Sequence, residues 1–362
     1  MGECRLFGFY RGLIVGITIK DIARFAGVSK STVSMVINND PSIPERTKER
    51  IREIMLKYNY YPNSRAKQLA SRKSFSLGIV VDIRKKESFW NPYFYSMIGG
   101  AESFLCSHDY CLTIANINST KNKDHFLSRF VYNRRVDGII IPSYIITPEI
   151  SDQLESIGFP FVLVGESREY SRVNQVDINN KQAGELAVKH LVENGYTQIA
   201  FIGGNTSETM TINRFEGYRK GLKLMNIHED PSIIKLGGGN EEAGQRHMRE
   251  LIDSAYLPEA VICINNYVAY GALSVLHKSG IKIPEQIGIV TFDDYPLSPY
   301  MNPPLTSLII DTFQLGYMAA ELLLELIENP DKDPEKVLIP ASITPRESTR
   351  KEAHLKGTGT SA

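Results

Sequence analysis

Thr18-Ile19-Lys20-Asp21-Ile22-Ala23-Arg24-Phe25-Ala26-Gly27-Val28-Ser29-Lys30-Ser31-Thr32-Val33-Ser34-Met35-Val36-Ile37-Asn38 decides how the chain begins. Thr18 followed by Asp21 reads as an N-cap with an acid at the third helical position, close to a capping box. Ile19, Ile22, Ala23 and Ala26 fall at helical spacing on one face. Gly27 ends that helix in a tight turn, and Val28 is placed to plug the small core beneath it. Ser29 caps a second helix, with Val33, Val36 and Ile37 turned inward and Lys30, Ser31, Ser34 and Met35 turned outward. A third helix is expected from Pro44 to Tyr58, its inner stripe being Ile51, Ile54, Met55 and Tyr58. Three short helices with a glycine turn before the second form a helix-turn-helix, whose second helix can enter the major groove. The pattern alone also fits an unrelated three-helix bundle.

The charge distribution favours the nucleic-acid reading. The formal net charge is zero, yet residues 1–76 carry 14 Lys and Arg against 6 Asp and Glu, leaving 27 against 35 for the rest. A basic head on an acidic body suits a DNA binder with a separate second domain. No run of about 18 apolar residues occurs, so no membrane span is expected. Residues 1–16 hold an apolar patch too short for a signal peptide and lacking a small-residue cleavage site. They are expected to be a disordered extension, and the protein cytoplasmic. The four cysteines, Cys4, Cys106, Cys111 and Cys263, show neither CxxC nor zinc spacing, so reduced, partly buried thiols are expected.

After Leu77 short apolar runs alternate with helical stretches. The runs are Leu77–Val81, Cys111–Ala115, Gly138–Ile141, Phe161–Val164, Ile199–Ile202, Ile233–Leu236, Ala260–Ile264 and Ile287–Val290. Alternation of this kind implies parallel sheets covered on both faces. Two units of four or five strands are expected, with a cleft beyond the carboxyl ends of the strands. No GxSxG elbow, dinucleotide fingerprint or zinc-spaced histidine set is present, so no catalysis and no cofactor are expected. Gly237-Gly238-Gly239-Asn240 lacks the ending and spacing of a phosphate loop.

The quoted head, together with Tyr58-Asn59-Tyr60-Tyr61-Pro62-Asn63, closely resembles the DNA-binding head of the LacI (lactose repressor) family of transcription regulators. Val136-Asp137-Gly138-Ile139-Ile140, Phe201-Ile202-Gly203-Gly204, Arg214-Phe215-Glu216-Gly217-Tyr218, Phe292-Asp293-Asp294, Pro303-Pro304-Leu305-Thr306 and Pro345-Arg346-Glu347-Ser348 carry the resemblance along nearly the whole chain. It implies an N-terminal all-α helix-turn-helix head and an α/β body of two doubly wound parallel-sheet subdomains, periplasmic binding protein-like. The expected organisation is an extension (1–16), the head (17–62), a hinge helix and linker (63–75), an effector-binding and dimerisation body (76–346) and a tail (347–362). Within the body, one subdomain takes 76–176 and 308–340, the other 177–307 and 341–346.

By the same resemblance, Lys30 and Ser31 occupy base-reading positions, and Thr18, Ser29, Thr32, Ser34, Met35, Asn38 and Tyr60 lie on the DNA-binding face. Met35 stands where the family usually has arginine and cannot make the bidentate pair to guanine. Asn63, Lys67 and Leu69 belong to the hinge, where Leu69 matches a leucine that wedges a base step open. Tyr93, Phe94, Arg214, Asn265 and Asp293 match effector contacts. An arginine, an amide and a carboxylate beside aromatic faces suit a polyol, and a sugar is expected over a purine. Asn266 replaces an aspartate usual at its position, and the Gly237 run leaves no aromatic where some members stack one.

The implied function is a repressor of carbohydrate-utilisation genes: a homodimer on a pseudo-palindromic operator in double-stranded DNA, governed by a small molecule, with a phosphorylated carrier-protein corepressor as the main variation. A solute-binding protein for sugar uptake is the alternative; it leaves residues 17–76 without a purpose.

Overall fold

The computed structural model describes residues 17–62, 68, 71–82, 92–117, 126–167, 169–170, 172–254 and 257–350. Asn63, Lys67 and Leu69, and the segments 1–16 and 351–362, lie outside them. The chain forms two compact units, one ending at Lys73 and one starting at Ser74.

The first unit is helical: α1 (Ile19–Ala26), α2 (Lys30–Ile37) and α3 (Glu45–Lys57). Its core is Ile22, Val33 and Ile51, fully buried, with Ala23, Ala26 and Val36. Each such large aliphatic contributes about 1.5–3 kcal/mol on burial, enough to fix three short helices that would be marginal alone. Gly27 takes the left-handed conformation at φ 61°, which lets α1 stop and α2 start within three residues. Asp21 accepts from the Thr18 amide at 3.0 Å and the Thr18 hydroxyl at 2.7 Å, closing the expected cap. Pro44 is the N-cap of α3 rather than its first residue.

The second unit begins with Ser74 and Phe75, whose amides donate to the two oxygens of Asp137 at 2.7 and 2.9 Å. It continues β1 (Ser76–Val81), α4 (Pro92–Cys106), β2 (Cys111–Asn116), β3 (Gly138–Pro142), α5 (Pro148–Ser156), β4 (Phe161–Val164), β5 (Gln175–Ile178) and α6 (Asn180–Glu193). Then come β6 (Ile199–Ile202), α7 (Thr209–Leu224), β7 (Ile234–Lys235), α8 (Glu241–Ile252), β8 (Ala260–Cys263), α9 (Asn266–Lys278) and β9 (Gly288–Phe292). The chain closes with β10 (Thr306–Ile309), α10 (Thr312–Glu328), β11 (Lys336–Ile339) and β12 (Ser342–Thr344).

Two sheets result, each of six described strands, in the orders β11-β5-β4-β3-β1-β2 and β12-β10-β9-β8-β6-β7. The first is parallel throughout; in the second only β12 runs antiparallel, against β10. Six strands exceed the four or five expected, because β5, β10, β11 and β12 are short segments without a long apolar run. The Ile233–Leu236 run contributes only Ile234 and Lys235. The chain passes between the two lobes three times: after β5, after β10 and between β11 and β12. The first two passages fall after Ile178 and Ile309, slightly beyond the expected 176 and 308.

Glycines set the distance between the covering helices. A Cβ at Gly316 of α10 would lie 1.9 Å from the Met97 carbonyl oxygen of α4, and one at Gly100 1.9 Å from that of Phe313. Backbones this close leave room for hydrogen only.

Residues 347–350, expected as tail, fold onto the second sheet. The Ser348 hydroxyl donates to the Ile289 carbonyl at 2.7 Å and accepts from the Thr306 amide at 2.8 Å. Arg346 forks onto Asp294 at 2.8 and 2.7 Å. Their polarity is satisfied inside the lobe, which is why composition misread them. No described helix is long and apolar enough to cross a membrane.

Candidate DNA-binding face and ligand cleft

Of the α2 residues the periodicity turns outward, Lys30, Ser31 and Met35 are exposed and Ser34 only half so. Ser29, Lys30, Ser31, Met35 and Asn38 are exposed, while Thr32 and Ser34 are half-buried; Thr18, ahead of α1, is exposed and Tyr60, after α3, half-buried. Ser29 caps α2 by accepting from the Thr32 amide at 3.0 Å. Its hydroxyl also meets those of Ser31 at 2.6 Å and Thr32 at 2.8 Å, so three hydroxyls cluster at the first turn. Hydroxyls and free backbone N–H groups at a helix start suit phosphate oxygens. Burial raises the Tyr60 hydroxyl pKa.

In the second unit Arg214, among the expected ligand contacts, is 4% exposed and sits on α7. Its Nε donates to Asn180 Oδ1 at 2.9 Å and its Nη1 to the Ile264 carbonyl at 2.6 Å. Its Nη2 stands 3.7 Å from Asp293 Oδ1, and the guanidinium lies 4.3 Å from the centre of the Phe292 ring. Asp293 directly follows β9 in the left-handed conformation at φ 69°, uncommon for a residue other than glycine. Burial raises the Asp293 carboxyl above its ordinary pKa, and Arg214 works against that shift. The strained Asp293 backbone is held by Asn266, fully buried, whose amide donates to the Asp293 carbonyl at 2.8 Å while its oxygen accepts from the Ser298 hydroxyl at 3.2 Å.

Asn265 is committed locally. Its oxygen caps α9 by accepting from the Val268 amide at 2.9 Å, and its nitrogen donates to the Gly239 carbonyl at 2.9 Å. Tyr93 and Phe94, at the start of α4, meet edge to face with centroids 5.7 Å apart. Burial pushes the Tyr93 hydroxyl pKa up, Asp177 and Asp293 add to the shift, and Arg214 opposes it. Tyr93 therefore shares one electrostatic environment with Arg214 and Asp293, although α4 covers the first sheet while Asp293 follows a strand of the second. Arg214 and Asp293 meet directly, Tyr93 feels the charge of both, and Asn265 adjoins Asn266, which holds the Asp293 carbonyl.

Further polar residues join this network and were not legible in the sequence. Asp177, at the end of β5, accepts from the Glu166 backbone amide at 2.8 Å, the Ile178 backbone amide at 2.7 Å and Asn180 Nδ2 at 3.2 Å. Its burial outweighs those donors and the nearby Arg214 charge, pushing its pKa up to about 6. Glu166 accepts from Asn213 Nδ2 at 2.6 Å and pairs with Lys336 at 2.5 Å. The one available signal was the polar run Asp177-Ile178-Asn179-Asn180 after a short strand. Among the described residues no group of three or more His, Cys, Asp and Glu could hold a metal ion.

Residues 18–63 match the family described as bacterial regulatory proteins, lacI family, and residues 188–349 match a periplasmic binding protein-like domain. Among curated proteins, the HTH-type transcriptional repressor PurR of Vibrio atlanticus (strain LGP32) is 32% identical over 320 residues, 88% of this chain and 94% of the relative. The PurR of Aliivibrio salmonicida (strain LFI1238) is 30% identical over 93% of this chain and 99% of the relative. Among solved structures, the lac repressor dimer bound to operator and the anti-inducer ONPF superposes with a TM-score of 0.72 at 25% identity, covering 92% of this chain and 99% of that one. A complex of the transcriptional regulator CelR with cellobiose gives 0.69 at 26% identity, with the same coverage.

Proposed function

The chain belongs to the lacI family of bacterial regulatory proteins, and on that premise we propose that it is a ligand-regulated transcriptional repressor whose effector is a sugar held around Arg214 and Asp293. The observation that carries the reading is the Arg214–Asp293 pair with the Tyr93 hydroxyl in the same environment. A guanidinium and a carboxylate offer donors and acceptors to adjacent hydroxyls, and the aromatic pair offers an apolar face. Two links across the lobes, Glu166 to Asn213 and Asp177 through Asn180 to Arg214, tie ligand contacts to the lobe angle. Ligand affinity and DNA affinity then change each other by the same factor. The DNA contacts fall to Thr18, Lys30, Ser31, Ser34, Asn38 and the hinge residues Lys67 and Leu69, in a homodimer on a two-fold operator.

The test is selection of bound fragments from genomic DNA with the full-length protein at fixed salt. It is followed by titration of the recovered operator with mono- and disaccharides, and with purine bases as the competing class. A palindrome whose affinity shifts with a sugar, but not after Arg214→Lys, supports the reading. A shift with purines alone overturns the sugar, and recovery of no sequence-specific fragment overturns the repressor.

A further inference from the structure

Met35 is 41% exposed on α2 and stands outside the apolar core of the head. At about 100° per residue, Met35 lies about 160° around the helix from buried Val33, about 100° from buried Val36 and about 40° from exposed Ser31. Phe25 is equally exposed at 41% but stacks on Tyr58 with ring centroids 4.3 Å apart. The outward face of α2 otherwise carries Lys30, Ser31, Ser34 and Asn38. The Ser31 and Thr32 hydroxyls are drawn toward Ser29 at the first turn. Beyond that turn, the face therefore presents one long apolar side chain among short polar ones.

Its thioether has no strong donor and at most weak acceptor capacity, so it cannot read the hydrogen-bonding edge of a base. The major groove offers one apolar group, the thymine 5-methyl. An unbranched side chain with three rotatable bonds can follow that methyl over a range of docking angles. We propose that Met35 is a specificity-determining residue that reads the 5-methyl group of a thymine in each operator half-site. The proposal rests on the head's reading DNA, and it adds a base preference that this reading leaves open.

The experiment changes the DNA, so the protein remains intact. An operator is selected from random duplexes with the full-length chain, and each thymine is replaced in turn by deoxyuridine, which removes only the methyl. Affinities are measured at one salt concentration for the unaltered protein, Met35→Ala and Met35→Leu. One symmetry-related thymine pair is expected to lose about fourfold per half-site on replacement, the value of one buried methyl. Met35→Ala should be indifferent to the change, and Met35→Leu should stay sensitive. Uridine tolerated at every thymine, or an equal loss in Met35→Ala, overturns the proposal while leaving the repressor standing. Failure of the intact protein to select any sequence removes the repressor reading, and the proposal with it.

Discussion

Asn180 and Arg214 share a 2.9 Å hydrogen bond, and the same asparagine donates to Asp177, so the buried guanidinium is positioned from the end of the first sheet. Arg214→Ala would leave Asn180 Oδ1 and the Ile264 carbonyl without their donor and the Asp293 carboxylate without its cation. Breaking a buried pair from one side costs about 3–5 kcal/mol. Urea unfolding should show that loss, and Arg214→Met with Asp293→Asn should recover part of it. Equal stability of the single and double variants would dismiss the pairing.

Asp177 sets a pH dependence. The folded chain holds its proton up to about pH 6, whereas an unfolded aspartate releases it near 3.9. The native state therefore binds more protons across this window, so this group's contribution is full below about pH 3.9 and is lost as pH rises through 6. The loss amounts to about 3 kcal/mol. Asp177→Asn should lack this falling component when unfolding is measured from pH 4 to 7.5. Parallel profiles for the two proteins would refute it.

Asn265 separates two roles. Asn265→Asp keeps an oxygen that can accept from the Val268 amide, whereas Asn265→Ala loses both the cap and the donor to Gly239. Alanine should lower stability by about 1 kcal/mol. If Asn265 also contacts the effector, aspartate should leave the melting temperature nearly unchanged and weaken ligand binding. Unchanged affinity in aspartate would confine the residue to capping.

Gly316→Ala places a methyl on the Met97 carbonyl. Helices α4 and α10 must then separate, at about 1–3 kcal/mol or more. Thermal unfolding checks this; a variant as stable as the parent would mean the helix pair is free to shift.

The head was legible almost residue by residue because its signals are local: a threonine–aspartate cap, the Gly27 turn and a 3.6-residue apolar rhythm. The body was legible where strands are long and apolar, as in Gly138–Ile141. It was not at Gln175-Val176-Asp177-Ile178, where a buried strand carries two polar side chains. Their partners come from other segments, so nothing in the local pattern announces that they are inside. Glu166 and Asn213 are the same case, joined across 47 positions. Arg214 and Asp293 were reached by resemblance, and the pattern around Arg214 gives no hint that it is buried.

The three passages between lobes bear on how the protein is made. On a ribosome the chain emerges N-terminal end first, and domains generally fold as they are released. Here neither sheet can finish early, since β5 waits for β11 on its outer edge and β10 waits for β12. Those last two strands are separated only by Pro340 and Ala341. Both sheets thus gain their last described strand within one short interval, and a chain cut before it leaves β5 and β10 as bare edges, each without its outer neighbour, in place of a half-working regulator.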